Sequence, residues 1–294
     1  MNFTKYFSTI DTQVGGETFR IVTNSSIRIA NLNLVEAQQI LDEQYTVEKN
    51  LLLNEPRGHR GINGCLVVPS VNADVGLLFF QHAGGEKFKT EALVAVVTAL
   101  VEMGTLEAKE VVQVETSNGV ETVTIKEEQN ELMSVKVSVQ AAKVIEKVQE
   151  NVKVQVADDR QYIICPLPSF VPTLTVEHLG VIQRWGNTEA QKWLENEEGV
   201  GVILFEQNDE QVRTVTFDRD GYILRSPGID TSLVLAAINE QSSVRNVSIF
   251  DEVFEIVKEP NKDVFSVELQ AFITAVSDFT LDEEDPLPQG FIII

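Results

Sequence analysis

The stretch TEALVAVVTALVEM, Thr90 to Met103, decides the fold. It is long enough for about four helical turns, and its apolar residues leave no polar stripe. A helix that is apolar nearly all round must be covered on every face. Gly104 follows directly and supplies a C-terminal stop. A second stretch of the same kind, TSLVLAAI, runs from Thr231 to Ile238, with Asp230 and Thr231 as its expected caps.

Strand patterns surround both helices. Glu17 to Thr23 alternates Phe19, Ile21 and Thr23 with polar neighbours, and Gly76 to Phe80 is a short apolar run. Glu110 to Glu115, Val120 to Lys126 and Met133 to Val139 follow, the first two joined by the hairpin signal Ser117-Asn118-Gly119. Weaker amphipathic helices are expected over Leu34 to Gln44 and Thr188 to Glu195. The arrangement repeats: strands, a glycine-containing turn and an apolar helix occupy Gly76 to Gly104 and again Val212 to Asn239, about 136 residues on. Only a sheet curled around each helix covers all its faces. The expected fold is therefore α+β, with two similar domains, each a curled mixed or antiparallel sheet wrapped around a central helix. The first domain runs over 1–125, with the C-terminal segment 270–294 as a candidate to complete it; the second runs over 126–269. Each helix start carries unpaired N–H groups and partial positive charge, so two facing starts would hold a carboxylate between the domains.

Composition narrows the partners. The 294 residues are 43% hydrophobic and 23% charged, which fits a globular chain rather than a disordered one. With 45 acidic against 23 basic residues the formal charge is −22, which disfavours nucleic acid and anionic membranes. No apolar run approaches the ~20 residues of a membrane span, and the first residues show no export signal, so a cytoplasmic protein is expected. Cys65 and Cys165 lie in apolar strand-like runs without metal-type spacing and read as reduced, buried thiols. No metal or cofactor motif is visible.

Between the apolar run Leu51 to Leu53 and the run Cys65 to Val68 lies Asn54-Glu55-Pro56-Arg57-Gly58-His59-Arg60. This loop resembles a signature of the proline racemase and hydroxyproline epimerase family. Ile10-Asp11, Gly15-Gly16-Glu17 and Arg20-Ile21-Val22 are similar to the family's opening block. Arg225-Ser226-Pro227 is similar to the approach to its second central helix, and Leu281 to Leu287 with Gly290-Phe291 to its ending. The resemblance covers nearly the whole chain. It implies cofactor-independent inversion of a free proline-like amino acid: a thiolate at one helix start removes the α-proton and a thiol at the other returns one.

The chain departs from that pattern at the reacting centre. Where the family reads Met-Cys-Gly-His, counting back from Gly104 gives Phe88-Lys89-Thr90-Glu91, so Lys89 stands for the cysteine and Glu91 for the histidine. Where it reads Asp-Arg-Ser-Pro-Cys-Gly-Thr, this chain has Leu224 to Asp230, with Gly228 for the second cysteine and Ile229 and Asp230 for the next two residues. Gln13 replaces a usual histidine, and Asp159-Arg160-Gln161-Tyr162 replaces the mid-chain Gly-Gly-Asn-Phe. The candidate catalytic residues are Lys89, whose pKa a helix start lowers, and Asp230 as its partner; the alternative is a salt bridge between them filling the old pocket. Candidate binding residues are Thr90, Glu91, His82, Gly228, Ile229 and Thr231. His59 reads as a loop histidine bonded to neighbouring backbone. Three functions stay open: a racemase-like scaffold without proline racemase activity that binds a small amino acid or carboxylate; an epimerase or dehydratase with remodelled acid/base residues; and a homodimeric interaction protein. None calls for a cofactor.

Overall fold

The structure is a computed structural model. It describes all residues except 1–2, 30–32, 83–87, 130, 158–159, 197–199, 208–210, 219–220, 283 and 293–294. The expected turn residues Ala83, Gly84 and Gly85, together with Asp159 and Glu283, therefore lie outside the described residues. The elements run β1 (Phe3–Val14), β2 (Glu17–Ser25), α1 (Leu34–Gln44), α2 (Thr46–Leu53), β3 (Ile62–Val68), β4 (Val75–Phe80), α3 (Glu91–Glu102), β5 (Val111–Thr116), β6 (Gly119–Glu128) and β7 (Glu131–Gln140). They continue with β8 (Lys143–Val148), β9 (Asn151–Val156), β10 (Arg160–Pro166), α4 (Leu179–Trp185), α5 (Gln191–Asn196), β11 (Val200–Gln207) and β12 (Val212–Phe217). The chain closes with α6 (Ile229–Asn239), β13 (Ser243–Val247), β14 (Val253–Lys258), β15 (Val264–Leu269) and β16 (Phe272–Asp282). A π-helical turn over Gly186–Ala190 joins α4 to α5, so the helix expected over Thr188 to Glu195 begins earlier, at Leu179.

The chain divides into two compact units, Met1–Val137 with Leu269–Ile294, and Ser138–Glu268. The first break falls within β7, after Val137. This is the α+β architecture of two similar halves.

In the first unit the strand order is β16-β1-β2-β3-β4-β5-β6-β7, with β2–β3 and β4–β5 parallel and the other neighbours antiparallel. Helix α3 packs against β1, β2 and β16, and every residue from Ala92 to Leu100 is buried. Gly104, at φ +68°, closes it and donates to the Val101 carbonyl. On the other side α1 and α2 seal a second apolar layer of Leu41, Leu51, Leu52, Leu53, Leu66, Leu78 and Phe80. In the second unit the order is β15-β14-β13-β12-β11-β10-β9-β8, and α6 packs against β8, β9, β13 and β14. Each unit therefore encloses one apolar helix in its sheet, as the two all-apolar stretches require.

The loop 54–60 is a structural junction. Arg20 on β2 is 5% exposed and grips Asp11 with both edges of its guanidinium, Nε to Oδ1 at 2.9 Å and Nη2 to Oδ2 at 2.7 Å. Its Nη1 donates to the carbonyls of Leu52, in the last turn of α2, and of Arg57, midway along the loop, and the guanidinium lies over the Phe279 ring. The C-terminal segment straps the outside: Glu55 and Phe291 exchange backbone hydrogen bonds, Asn54 Nδ2 donates to the Gln289 carbonyl, and Arg57 pairs with Asp285 at 2.8 Å. Glu55–Pro56 is cis. Gly290 sits at φ +67°, and a Cβ there would lie 2.2 Å from the Glu55 carbonyl oxygen. Gly290→Ala is therefore expected to lift the strap, read as faster cleavage after residue 284 in limited proteolysis, with the central core unchanged.

Candidate functional site

The start of α3 is built by residues 88–91 and by the β1–β2 hairpin. Thr90 precedes the helix with helical backbone angles and makes no side-chain cap bond. The first turn is tight: the N–H groups of Ala92 and Leu93 donate to the carbonyls of Lys89 and Thr90. Thr90 and Glu91 are both buried. Lys89 Nζ lies 3.7 Å from Oε2 of Glu17, a carboxylate that is 2% exposed at the head of β2. Gln13, where the family usually has histidine, accepts from the Gly16 N–H through Oε1 and so secures the hairpin turn. His82 donates from Nε2 to the Leu53 carbonyl at 2.8 Å, closing the end of α2. His59 is exposed and bonds the Arg60 carbonyl through Nδ1, as a loop histidine does.

The start of α6 is different. Its cap is Gly228 rather than Asp230 or Thr231, because the chain enters the helix two residues earlier than the apolar run suggests. Gly228 has φ +77° and ψ 129°, a region open essentially to glycine alone. A Cβ at 228 would meet Thr231 Oγ1 at 3.0 Å. Ile229 is fully buried, and Thr231 Oγ1 bonds Thr216 Oγ1 at 2.7 Å. Beneath them Asn246 on β13, fully buried, donates to the Pro227 carbonyl and to Ser232 Oγ while accepting from Thr214. Asn246 pins the Ser226-Pro227-Gly228 turn, and no local sequence signal marks it for that role.

Asp230, in the first turn, is held by β10. Its Oδ2 lies 2.9 Å from Arg160 Nε and accepts from the Tyr162 hydroxyl at 3.0 Å. Lys89 and Asp230 thus each have an ion partner inside their own unit, Glu17 for one and Arg160 for the other. Arg160 and Tyr162 are two apart on a strand, so they point to the same face. That spacing was the available clue to their joint role.

Neither thiol lies at a helix start. Cys65 lies in β3 and Cys165 in β10, both buried. Burial pushes the Cys65 thiol far up and the Cys165 thiol up to about 12. With folded pKa values above the unfolded thiol's, the fold is fully favoured below pH ~8.5 and loses stability as pH rises past it. Iodoacetamide at pH 8.5 is accordingly expected to leave both cysteines intact in the folded protein and to modify both in denaturant, as read by intact mass.

Fold and site together define a two-unit α+β protein of the kind that places a helix start in each half. The proline racemase family matches residues 9–159, and the chain belongs to that family. A trans-3-hydroxy-L-proline dehydratase of Bacillus thuringiensis is 27% identical, with both chains covered in full. A hydroxyproline epimerase from Agrobacterium vitis, solved with bound trans-4-hydroxy-L-proline, superposes with a TM-score of 0.83 at 20% identity, covering 100% of this chain and 96% of that one. A probable proline racemase from Agrobacterium radiobacter gives a TM-score of 0.81 at 20% identity, covering 98% and 96%. No described helix is long and apolar enough to cross a membrane.

Proposed function

We propose that this chain is a proline racemase-family protein that has lost two-thiol racemisation and binds a small amino acid or carboxylate. The observation that carries this reading is the placement of sulfur: Lys89 and Gly228 stand at the helix starts, while both cysteines are neutral thiols buried in strands. Inversion at an α-carbon needs a base on one face and an acid on the other. Gly228 offers neither, and its backbone conformation is one that a cysteine adopts only with strain. Lys89 beside Glu17 is an ion pair that needs no substrate to exist.

The test has two parts. A thermal-shift screen of L- and D-proline, the hydroxyprolines and small carboxylates is expected to raise Tm for at least one compound; ligand at 100 times its Kd adds about 2.7 kcal/mol. The same compounds, incubated with the protein in deuterated water, are expected to keep their α-protons. No shift with any compound removes the binding half of the proposal, and α-proton exchange removes the other. A pyrroline or keto product from trans-3-hydroxy-L-proline, the substrate in the relative's name, favours the dehydratase reading instead.

A further inference from the structure

Three of the chain's departures from its family, separated by up to 70 residues, meet at one carboxylate. Arg160 is 8% exposed at its side chain, so its guanidinium is nine-tenths withdrawn from water, and its Nε lies 2.9 Å from Asp230 Oδ2. The Tyr162 hydroxyl donates to the same oxygen at 3.0 Å. Room for the Tyr162 ring comes from Gly201, its partner across the β10–β11 ladder: a Cβ there would lie 2.7 Å from the ring. The Tyr162 phenol is held well above its usual pKa, first by desolvation and then by the charge of Asp230, so it stays a donor. The carboxylate itself sits in the first turn of an eleven-residue helix, where negative charge is favoured. A buried cation and a locked hydroxyl donor converging on one carboxylate oxygen, carried on the first turn of a helix, are what recognition of a free carboxylate uses.

We propose that Arg160, Tyr162 and the first turn of α6 form a carboxylate-binding site whose occupant is the chain's own Asp230. The side chain acts as a tethered ligand: it pairs with Arg160 and keeps free monocarboxylates out of this half of the protein. This extends the reading above to a specific site, and because its readout is stability rather than proton exchange, failure of one leaves the other standing.

The experiment is chemical rescue. Asp230→Ala removes the carboxylate and leaves a space matched to formate. The variant is expected to melt about 4 °C or more below wild type in chloride, and to recover at least half of that loss in formate at equal ionic strength. Wild type should melt alike in the two salts. Arg160→Ala/Asp230→Ala should show no formate-specific gain, and Tyr162→Phe in the Asp230→Ala background should show a smaller one. Equal melting of Asp230→Ala in formate and chloride overturns the proposal, as does rescue that survives loss of Arg160. If the variant folds in neither salt, the site is not one a free carboxylate can fill and the proposal fails; if it folds only in formate, the proposal is supported.

Discussion

Arg20→Met is expected to cost about 3–5 kcal/mol, the largest loss of any single polar substitution in the first unit. The reason is not the ion pair alone. Removing the guanidinium leaves the Asp11 carboxylate, 8% exposed, without its two charge-assisted donors. It also strips the carbonyls of Leu52 and Arg57 of their donor, and these two groups tie the end of α2 to the middle of the loop that carries Pro56 and His59. Arg20→Lys should rescue little, because one ammonium cannot span a carboxylate edge and two carbonyls at once. The two effects separate in urea unfolding of Asp11→Asn, Arg20→Met and the double variant. If the uncompensated Asp11 charge dominates, the double variant is more stable than Arg20→Met. If the loop carbonyls dominate, it is not. Arg20→Met within 1 kcal/mol of wild type would contradict this account of the loop.

The second large effect is independence of helical face. On an amphipathic helix an aspartate at an outward position is tolerated. On α3, Val94 and Val97 share one side and Val96 lies on the other, and all three are fully buried. Aspartate at each should therefore be equally ruinous, costing several kcal/mol as an unpaired buried charge. The same holds in smaller steps for α6, where Leu233→Ala and Leu235→Ala should each cost about 2–5 kcal/mol. One tolerated aspartate among the three valines would mean that α3 has an open side. Circular dichroism and soluble yield read the aspartate series, and urea midpoints read the alanine pair.

Those two helices also show why the fold was legible from sequence. Lack of periodicity in a run of apolar residues is a local signal, and it forces a covering sheet whatever the register. Which strands do the covering is not local. Strand β1 pairs with β16 from the far end of the chain, Phe7 opposite Phe279 and Ile10 opposite Val276, and nothing in Phe3 to Val14 announces that partner. Strand β8 carries no period-two signal, because Lys143-Val144-Ile145-Glu146-Lys147 breaks the alternation at a register shift and Val144 and Ile145 remain outside the core.

The site was legible as a list of departures and not as a geometry. Lys89, Gly228 and Asp230 could be named from the family pattern, but Glu17 as the partner of Lys89 and Arg160 with Tyr162 as the partners of Asp230 required the folded chain. The role of the Asn54 to Arg60 loop changed most. Read as a family signature, it proves to be the junction where Arg20 and the C-terminal segment meet. Its persistence in a chain without helix-start thiols follows from that structural duty.

The loss of two-thiol chemistry is the central claim, and α-proton exchange measures it directly. L-proline, D-proline, trans-4-hydroxy-L-proline and trans-3-hydroxy-L-proline are incubated separately with the protein in deuterated water, beside a racemase that carries both cysteines, and followed by proton NMR. The account predicts that the α-proton signal of every substrate persists with this protein while the control exchanges its own. Loss of the α-proton signal of any one of them, at a rate proportional to protein concentration and whichever side chain it depends on, would contradict it.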